Sequence, residues 1–526
     1  MNSGLLTSLI FLPLVGAGII LLLPDVYKAS FKWINLICNV LNLINALTLY
    51  GSFNKTEPSY QFLEHYEWIR LDIGKSGVIS IDYVLGLDGI NLPMVILSAI
   101  ILLIGGISSF SIVRRPKAYY SLFLLLCSSV MGCFVALDLF LFFLFFEFML
   151  LPMYFLIGIW GGENREYASL KFIIYTLVGS VLILIVMIAV GMSYTDIFFS
   201  KEYGKTVHTF DFRQLKDTTN IIKNSFLSID SPWKLMGIPA RELMFVLLFI
   251  GFGIKLPMVP FHTWLPDAHV EAPTAISVIL AGVLLKIGGY GLIRIGYGFF
   301  PDIAPDFTVW VAGAGVLSII YGALNALAQT DLKKLIAYSS VSHMGFVLLG
   351  ISALNAEGIN GAVYQMFSHG ILSAMLFLCA GVIYDQTHNR EIANYRGLAK
   401  KMPFFTVAVS VAFFGSLGLP TLSGFIGEFF SLLGAFQSDL MPKWMPVLGV
   451  LGIVLSAVYL LWTFQKMFFG EYYISEKLEK DKIVDLDRRE MLMLTVLGVL
   501  AFLFGIFPNL IFDISNQTVQ EFLTRP

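Results

Sequence analysis

Six ionisable residues, Glu147, Lys255, Lys286, His343, His369 and Glu428, lie in stretches otherwise composed of apolar side chains. Their types are those that take up and release protons. Lys255 belongs to Gly251-Phe-Gly-Ile-Lys-Leu-Pro-Met-Val-Pro-Phe-His-Thr-Trp-Leu-Pro-Asp267-Ala-His-Val-Glu-Ala-Pro273, directly ahead of Pro257 and Pro260. Proline removes a backbone donor and clashes with the preceding turn, so a helix entering this stretch is expected to break. A lysine at mid-bilayer costs about 2.5 to 3.5 kcal/mol, and such a residue reads first as functional. Glu147 sits in Leu-Phe-Phe-Leu-Phe-Phe-Glu-Phe-Met, and Glu428 in Gly-Phe-Ile-Gly-Glu-Phe-Phe. His343 and His369 each occupy a comparable apolar run.

In hydrocarbon, groups of this kind face a bundle interior and find one another. The six therefore read as a row of titratable groups, a proton relay, with imidazoles placed to shuttle near neutral pH. Each has a structural alternative. Glu147 and Lys255 form a static ion pair in one reading, Lys286 snorkels to an interface in another, and the histidines bind helices together in a third. Glu428 is a protonated, inert acid in the last. His262 and His269 flank Asp267, but no third nitrogen or sulfur ligand follows at a metal-binding spacing. With Pro257, and with Pro420 further along, His262 and Asp267 read as supports of broken helix ends.

The composition defines what must hold this row. Hydrophobic residues make up 57% of the 526 and charged residues 13%, against about 25% charged in ordinary soluble domains. The chain is expected to be an all-α polytopic membrane protein. It divides into about fourteen spans of roughly 20 residues, the length a bilayer core requires. Gly4–Leu23 is read as a retained first helix, lacking a preceding basic cluster or cleavage site. Cys38, Cys127, Cys133 and Cys379 form no CxxC pair and point to neither an iron–sulfur cluster nor a zinc site. No Gly-x-Gly-x-x-Gly opens a nucleotide-binding unit, and nothing suggests nucleic acid as a partner; the lipid bilayer is one.

Two long polar connections, Phe53 to Asp88 and Thr195 to Arg241, fall on the same face, since an even number of spans separates them. Lysine and arginine number about 19 in the odd-numbered connections and about 13 on the other face, about ten of those in the two long loops, which cross largely regardless of charge. This orients the odd connections to the cytoplasm and both termini to the periplasmic side of a bacterial inner membrane. It leaves Lys255 and Lys286 as the two basic residues inside spans. Gly415-Ser-Leu-Gly-Leu-Pro-Thr-Leu-Ser-Gly-Phe425 echoes Gly251 to Phe261, and the odd offset between the two breaks predicts inverted repeats with sites at broken helices. The expected organisation is residues 1–110 as N-terminal helices with an outer loop, 111–300 and 301–470 as two five-helix repeats broken at Pro257 and Pro420, and 471–526 as a loop and last helix.

Gly-Ile-Lys255-Leu-Pro-Met-Val-Pro-Phe-His262-Thr-Trp-Leu-Pro-Asp267-Ala-His269, Leu-Leu-Lys286-Ile-Gly-Gly-Tyr-Gly, Asp331-Leu-Lys-Lys-Leu-Ile-Ala-Tyr-Ser-Ser-Val-Ser-His343-Met-Gly and Ser-Gly-Phe-Ile-Gly-Glu428-Phe together resemble the antiporter-like membrane subunits of respiratory complex I. The likeness covers residues 80–510 and is strongest to the chain M, or chain 4, branch. In that branch the last broken helix carries a glutamate, here Glu428, and the long lateral helix of the L-type chains is missing. The resemblance implies a fourteen-helix proton pump in a complex that oxidises NADH and reduces quinone. FMN and Fe–S clusters would be held by partner chains, and L-type and N-type antiporter-like chains would lie alongside. It further implies that Glu147 and Lys255 form a modulating ion pair, that Lys286 lies on the central axis with His343 and His369, and that Glu428 leads outward. The alternative is an Mrp-type sodium/proton antiporter subunit, which shares the Lys-Leu-Pro and Leu-Leu-Lys motifs.

Overall fold

The computed structural model describes residues 4–235, 237–475 and 483–524. Among them, twelve helices are long and apolar enough to cross a membrane. The first part comprises α1 (Leu5–Leu22), α2 (Phe31–Ser52), the strands β1 (Gln61–Asp72) and β2 (Val78–Leu87), α3 (Asn91–Ser108), α4 (Pro116–Val135), α5 (Leu139–Phe148), α6 (Leu150–Trp160) and α7 (Arg165–Ser193). A polar connection with α8 (Ile197–Tyr203), β3 (Val207–Thr209) and α9 (Phe212–Leu215) leads to α10 (Ala240–Lys255), α11 (Trp264–Glu271), α12 (Thr274–Ile279) and α13 (Leu285–Gly291). The chain continues through α14 (Thr308–Leu327), α15 (Leu332–Ser352), α16 (Ala356–Thr387), α17 (Pro403–Ser416), α18 (Ser423–Gln437), α19 (Trp444–Phe468), α20 (Arg488–Ile506) and α21 (Asn509–Leu523).

The two long connections do share a face, and they are more ordered than their scattered charges suggest. β1 and β2 pair antiparallel from Gln61 opposite Leu87 to Asp72 opposite Val78, and β3 adds in parallel to β2. Helix α21 lies over this hairpin face, with Thr518 accepting from the Gly89 N–H at 2.9 Å and Lys216 pairing Glu521 at 2.9 Å. The last helix expected from sequence, Met491–Leu510, is thus α20 alone, and α21 is a separate amphipathic helix that apolar-run counting passes over.

Both breaks appear where the prolines place them. α10 ends at Lys255 and the chain resumes helix at Trp264, while α17 ends at Ser416 and α18 begins at Ser423. The first break is tied by the Trp264 indole N–H to the Ile254 carbonyl at 2.9 Å and by the Val259 N–H to Ser318 Oγ at 3.0 Å. At the second, Gly418 takes φ 80°, a left-handed conformation that glycine adopts without Cβ strain. Gly505 of α20 allows the Thr421 carbonyl to approach: a Cβ there would come within 2.2 Å of it.

Burial is sorted by helix. α16 and the Thr274–Tyr297 helix are buried over their whole central windows, whereas α1, α2, α7, α19 and α20 expose most of theirs. The buried helices carry the polar residues and the peripheral ones present leucine, valine and phenylalanine outward, as a bundle in lipid requires. Small residues let the central helices touch: a Cβ on Gly434 of α18 would lie 2.2 Å from the Gly358 nitrogen of α16.

One expectation is corrected here. Lys255 and Lys286 are not the only buried basic residues within spans. Arg294, in the Thr274–Tyr297 span, and Lys333, in the Leu332–Ser352 span, are buried as well. Each meets an oxygen that offsets its charge, Asp88 for Arg294 and the Ala272 carbonyl for Lys333.

Candidate functional site

Lys286 is fully buried on α13, a seven-residue helix flanked by π-helical turns at Leu280–Leu284 and Leu292–Tyr297. A π turn widens the helix and leaves some backbone acceptors free of their usual partners. Here Lys286 Nζ donates to the Ala281 carbonyl in the first of those turns. The same Nζ lies 2.7 Å from His369 Nδ1 on α16. The ring of His369 is 5.5 Å, centroid to centroid, from that of His343 on α15. His343 Nδ1 lies 2.7 Å from Glu428 Oε1 on α18, and the Gln365 amide reaches the same oxygen at 3.5 Å.

Four of the six relay candidates are therefore contiguous. Between the two bonded pairs is a void of about 10 Å³, lined by His343, Gln365, Ser368, His369, Ser416 and Glu428, room for about one water. His343 Nε2 and Glu428 Oε2 are buried and make no hydrogen bond to another protein group.

The other two candidates are arranged differently. Lys255, at the last turn of α10, places its ammonium 4.3 Å from the ring centroid of Phe146 on α5. Glu147, next along α5, is half-buried with Oε1 unpartnered, and no ion pair joins it to Lys255. The two residues that the resemblance pairs make no ion-pair contact in this structure, and the Phe146 ring faces the cation. The break residues are placed as follows. Asp267 pairs with Lys171 of α7 at 2.6 Å, and His262 lies against Tyr321 with Nδ1 unpartnered. Pro257 lies within the first break, and Pro420 is exposed in the second.

Sequence reasoning gave three features no place in the row. His269 is fully buried, stacked on Phe377 at 4.3 Å, and neither ring nitrogen has a partner. Lys333 borders a polar cavity of about 230 Å³ on the basic face, shared with Glu271, Tyr384, Asp385 and Arg390. Asp88 and Arg294 form a buried ion pair at 2.6 Å toward the hairpin face. Arg294 was legible, since it stands four residues beyond Tyr290 on the Lys286 helix; the other two depend on contacts between distant segments. Among the described residues no cluster of three or more His, Cys, Asp or Glu could hold a metal ion.

A buried lysine–histidine–glutamate row on α13, α16, α15 and α18, the last of these following a broken span, defines an antiporter-like membrane subunit. Residues 136–456 match the family described as NADH:quinone oxidoreductase/Mrp antiporter, TM, and the chain belongs to it. It is 41% identical over 525 residues to NADH-quinone oxidoreductase subunit M of Rhodobacter capsulatus, covering 99% of this chain and 96% of that one. The corresponding protein of Rickettsia prowazekii is 40% identical, with 98% of each chain covered. Among solved structures, a chain of respiratory complex I from Thermus thermophilus with bound NADH superimposes with a TM-score of 0.81 at 28% identity, over 99% of both chains. A chain of the Mrp complex from Dietzia shares the fold, with a TM-score of 0.79 at 21% identity, over 99% of this chain and 98% of that one.

Proposed function

We infer that this chain is a proton-translocating membrane subunit of an NADH:quinone oxidoreductase. It carries protons from the cytoplasm to the outside while partner chains carry out the redox chemistry with NADH, FMN, Fe–S clusters and quinone. The observation that carries this reading is the contiguous, buried row Lys286, His369, His343 and Glu428. Uptake would begin at the polar cavity beside Lys333 on the basic face, with His269 between it and Lys286. Lys255 and Glu147 would act as the switch: when the carboxylate approaches, it holds the proton on the ammonium, and when it withdraws, that attraction is lost. Moving one charge against 150 to 200 mV needs about 3.5 to 4.6 kcal/mol, and an opposite charge brought to about 4 Å at an effective dielectric constant near 20 supplies about 4 kcal/mol. The switch is of adequate size.

L-type and N-type antiporter-like chains would flank this one. Both termini would face the periplasm of a bacterial inner membrane, as the short-loop charge count directs. Residues 111–300 and 301–470 would be the two inverted repeats. An Mrp-type sodium/proton antiporter remains a second reading that rests on fold likeness alone. The test is Lys286→Ala in the assembled complex: NADH-driven proton uptake into inverted vesicles should fall by about tenfold or more. Uptake at the unaltered rate would sink the relay.

A further inference from the structure

Lys286, Tyr290 and Arg294 are spaced by four and share one face of their helix. Arg294 stands about 12 Å beyond Lys286 in the direction of the hairpin face. Its Nη2 donates to Asp88 Oδ1 at 2.6 Å, with both side chains 2% exposed, and its Nη1 lies 3.3 Å from the Tyr60 hydroxyl. The guanidinium is 5.5 Å from the ring centroids of both Tyr60 and Tyr290. Asp88 Oδ1 also accepts from the Ile90 and Asn91 N–H groups at the start of α3, and the following residue, Gly89, is pinned under α21 by Thr518. Outside Tyr60 come Lys216 and Glu521, which are partly exposed on the hairpin face.

This column leads along one helix face from Lys286 toward the hairpin face, away from His369, and it ends in a group that cannot carry a proton. Guanidinium is always charged, donates only and accepts nothing. As a donor-only group beside Tyr60 and Tyr290 it turns oxygen lone pairs toward itself, which breaks a proton-conducting chain. A fixed cation in a narrow path also repels hydronium, as it does in channels that exclude protons. As a helix cap alone, Asp88 would not need a buried arginine, which is costly in a membrane.

We propose that the Asp88–Arg294 pair is an electrostatic plug that closes the first half of the chain to the outer face, so that a proton on Lys286 leaves only toward His369. The proposal rests on the relay reading above. Arg294 acts as a positioning residue for charge and takes no part in proton transfer itself.

The test uses the whole oxidoreductase complex in proteoliposomes without NADH, with passive proton entry driven by a potassium diffusion potential and followed by an internal pH dye. Asp88→Asn with Arg294→Met, which removes both charges together, should raise the leak by about tenfold. Arg294→Gln, which keeps a hydrogen bond to Asp88, should leak to a similar degree if the double variant fails to assemble. Arg294→Lys, which keeps the cation but can release its proton, should leak less than Arg294→Gln. Adding Lys286→Ala to a leaking variant should bring the leak back down. An assembled double variant or Arg294→Gln that leaks no more than the unaltered complex would overturn the plug, and so would an Arg294→Lys that leaks as much as Arg294→Gln or a leak that survives loss of Lys286. Failure of the relay is read separately, from normal pumping by Lys286→Ala alone under turnover.

Discussion

The two halves of the candidate path differ in how they hold their charges. From Lys286 onward the groups touch: amine to imidazole at 2.7 Å and imidazole to carboxylate at 2.7 Å, with all four side chains buried. Around Lys255 nothing is bonded in this way; the ammonium rests on Phe146 and Glu147 is left unpartnered on a half-buried face. The contrast separates two tasks. A conducting segment benefits from being assembled in advance, because each transfer then needs little reorganisation. A switch requires two states of similar free energy, and a cation shared between an aromatic face and a nearby carboxylate meets that condition.

The largest expected effect breaks the bonded half. Glu428→Gln keeps the shape and leaves His343 with a neutral partner, and proton uptake per electron should fall by about tenfold or more; uptake within error of the unaltered complex would remove Glu428 from the row. A smaller effect sharpens the open half. Phe146→Leu removes a cation–π contact worth about 1 to 2 kcal/mol, shifting the Lys255 equilibrium toward Glu147 by roughly five- to thirtyfold. The pumping rate should drop several-fold, and Glu147→Gln on the same background should not restore it, because it removes the carboxylate of the switch. No change on Phe146→Leu would show that the ring is only packing.

The smallest effect concerns what holds α5, and hence Glu147, in place. Asp138 caps α5 from outside the span, accepting from Phe140 and Leu141 N–H at 2.9 and 3.0 Å. Burial, with help from Asp211 and Asp82, pushes its carboxyl up from an ordinary 3.8 to about 7 despite those bonds. Between pH 4 and pH 7 the folded chain then holds a proton that the unfolded chain has lost, so this site's contribution to stability falls as pH rises through that window. Hydrogen exchange at Phe140 and Leu141, corrected for intrinsic rates, should show protection declining over this range. Asp138→Asn should flatten the dependence and leave turnover unaltered; a slope that persists in the Asn variant would assign it to another group.

The membrane class, both helix breaks, the common face of the two long loops and all six relay candidates follow from local sequence, because apolar run length, proline chemistry and the cost of charge in hydrocarbon act on residues one at a time. Which of the six touch does not follow. Lys286 and His369 are 83 positions apart and His343 and Glu428 are 85 apart, and their meeting depends on how α13, α15, α16 and α18 pack through glycines such as Gly434. The same holds for Asp88 and Arg294, 206 positions apart. Arg294 was left out of the charges counted inside spans, and only the packed structure shows it there together with the carboxylate that lets it stay. Lys255, the residue most conspicuous in sequence, is where tertiary structure decided most: its cost named it as functional, and packing seated it on an aromatic ring beside a carboxylate it does not yet meet.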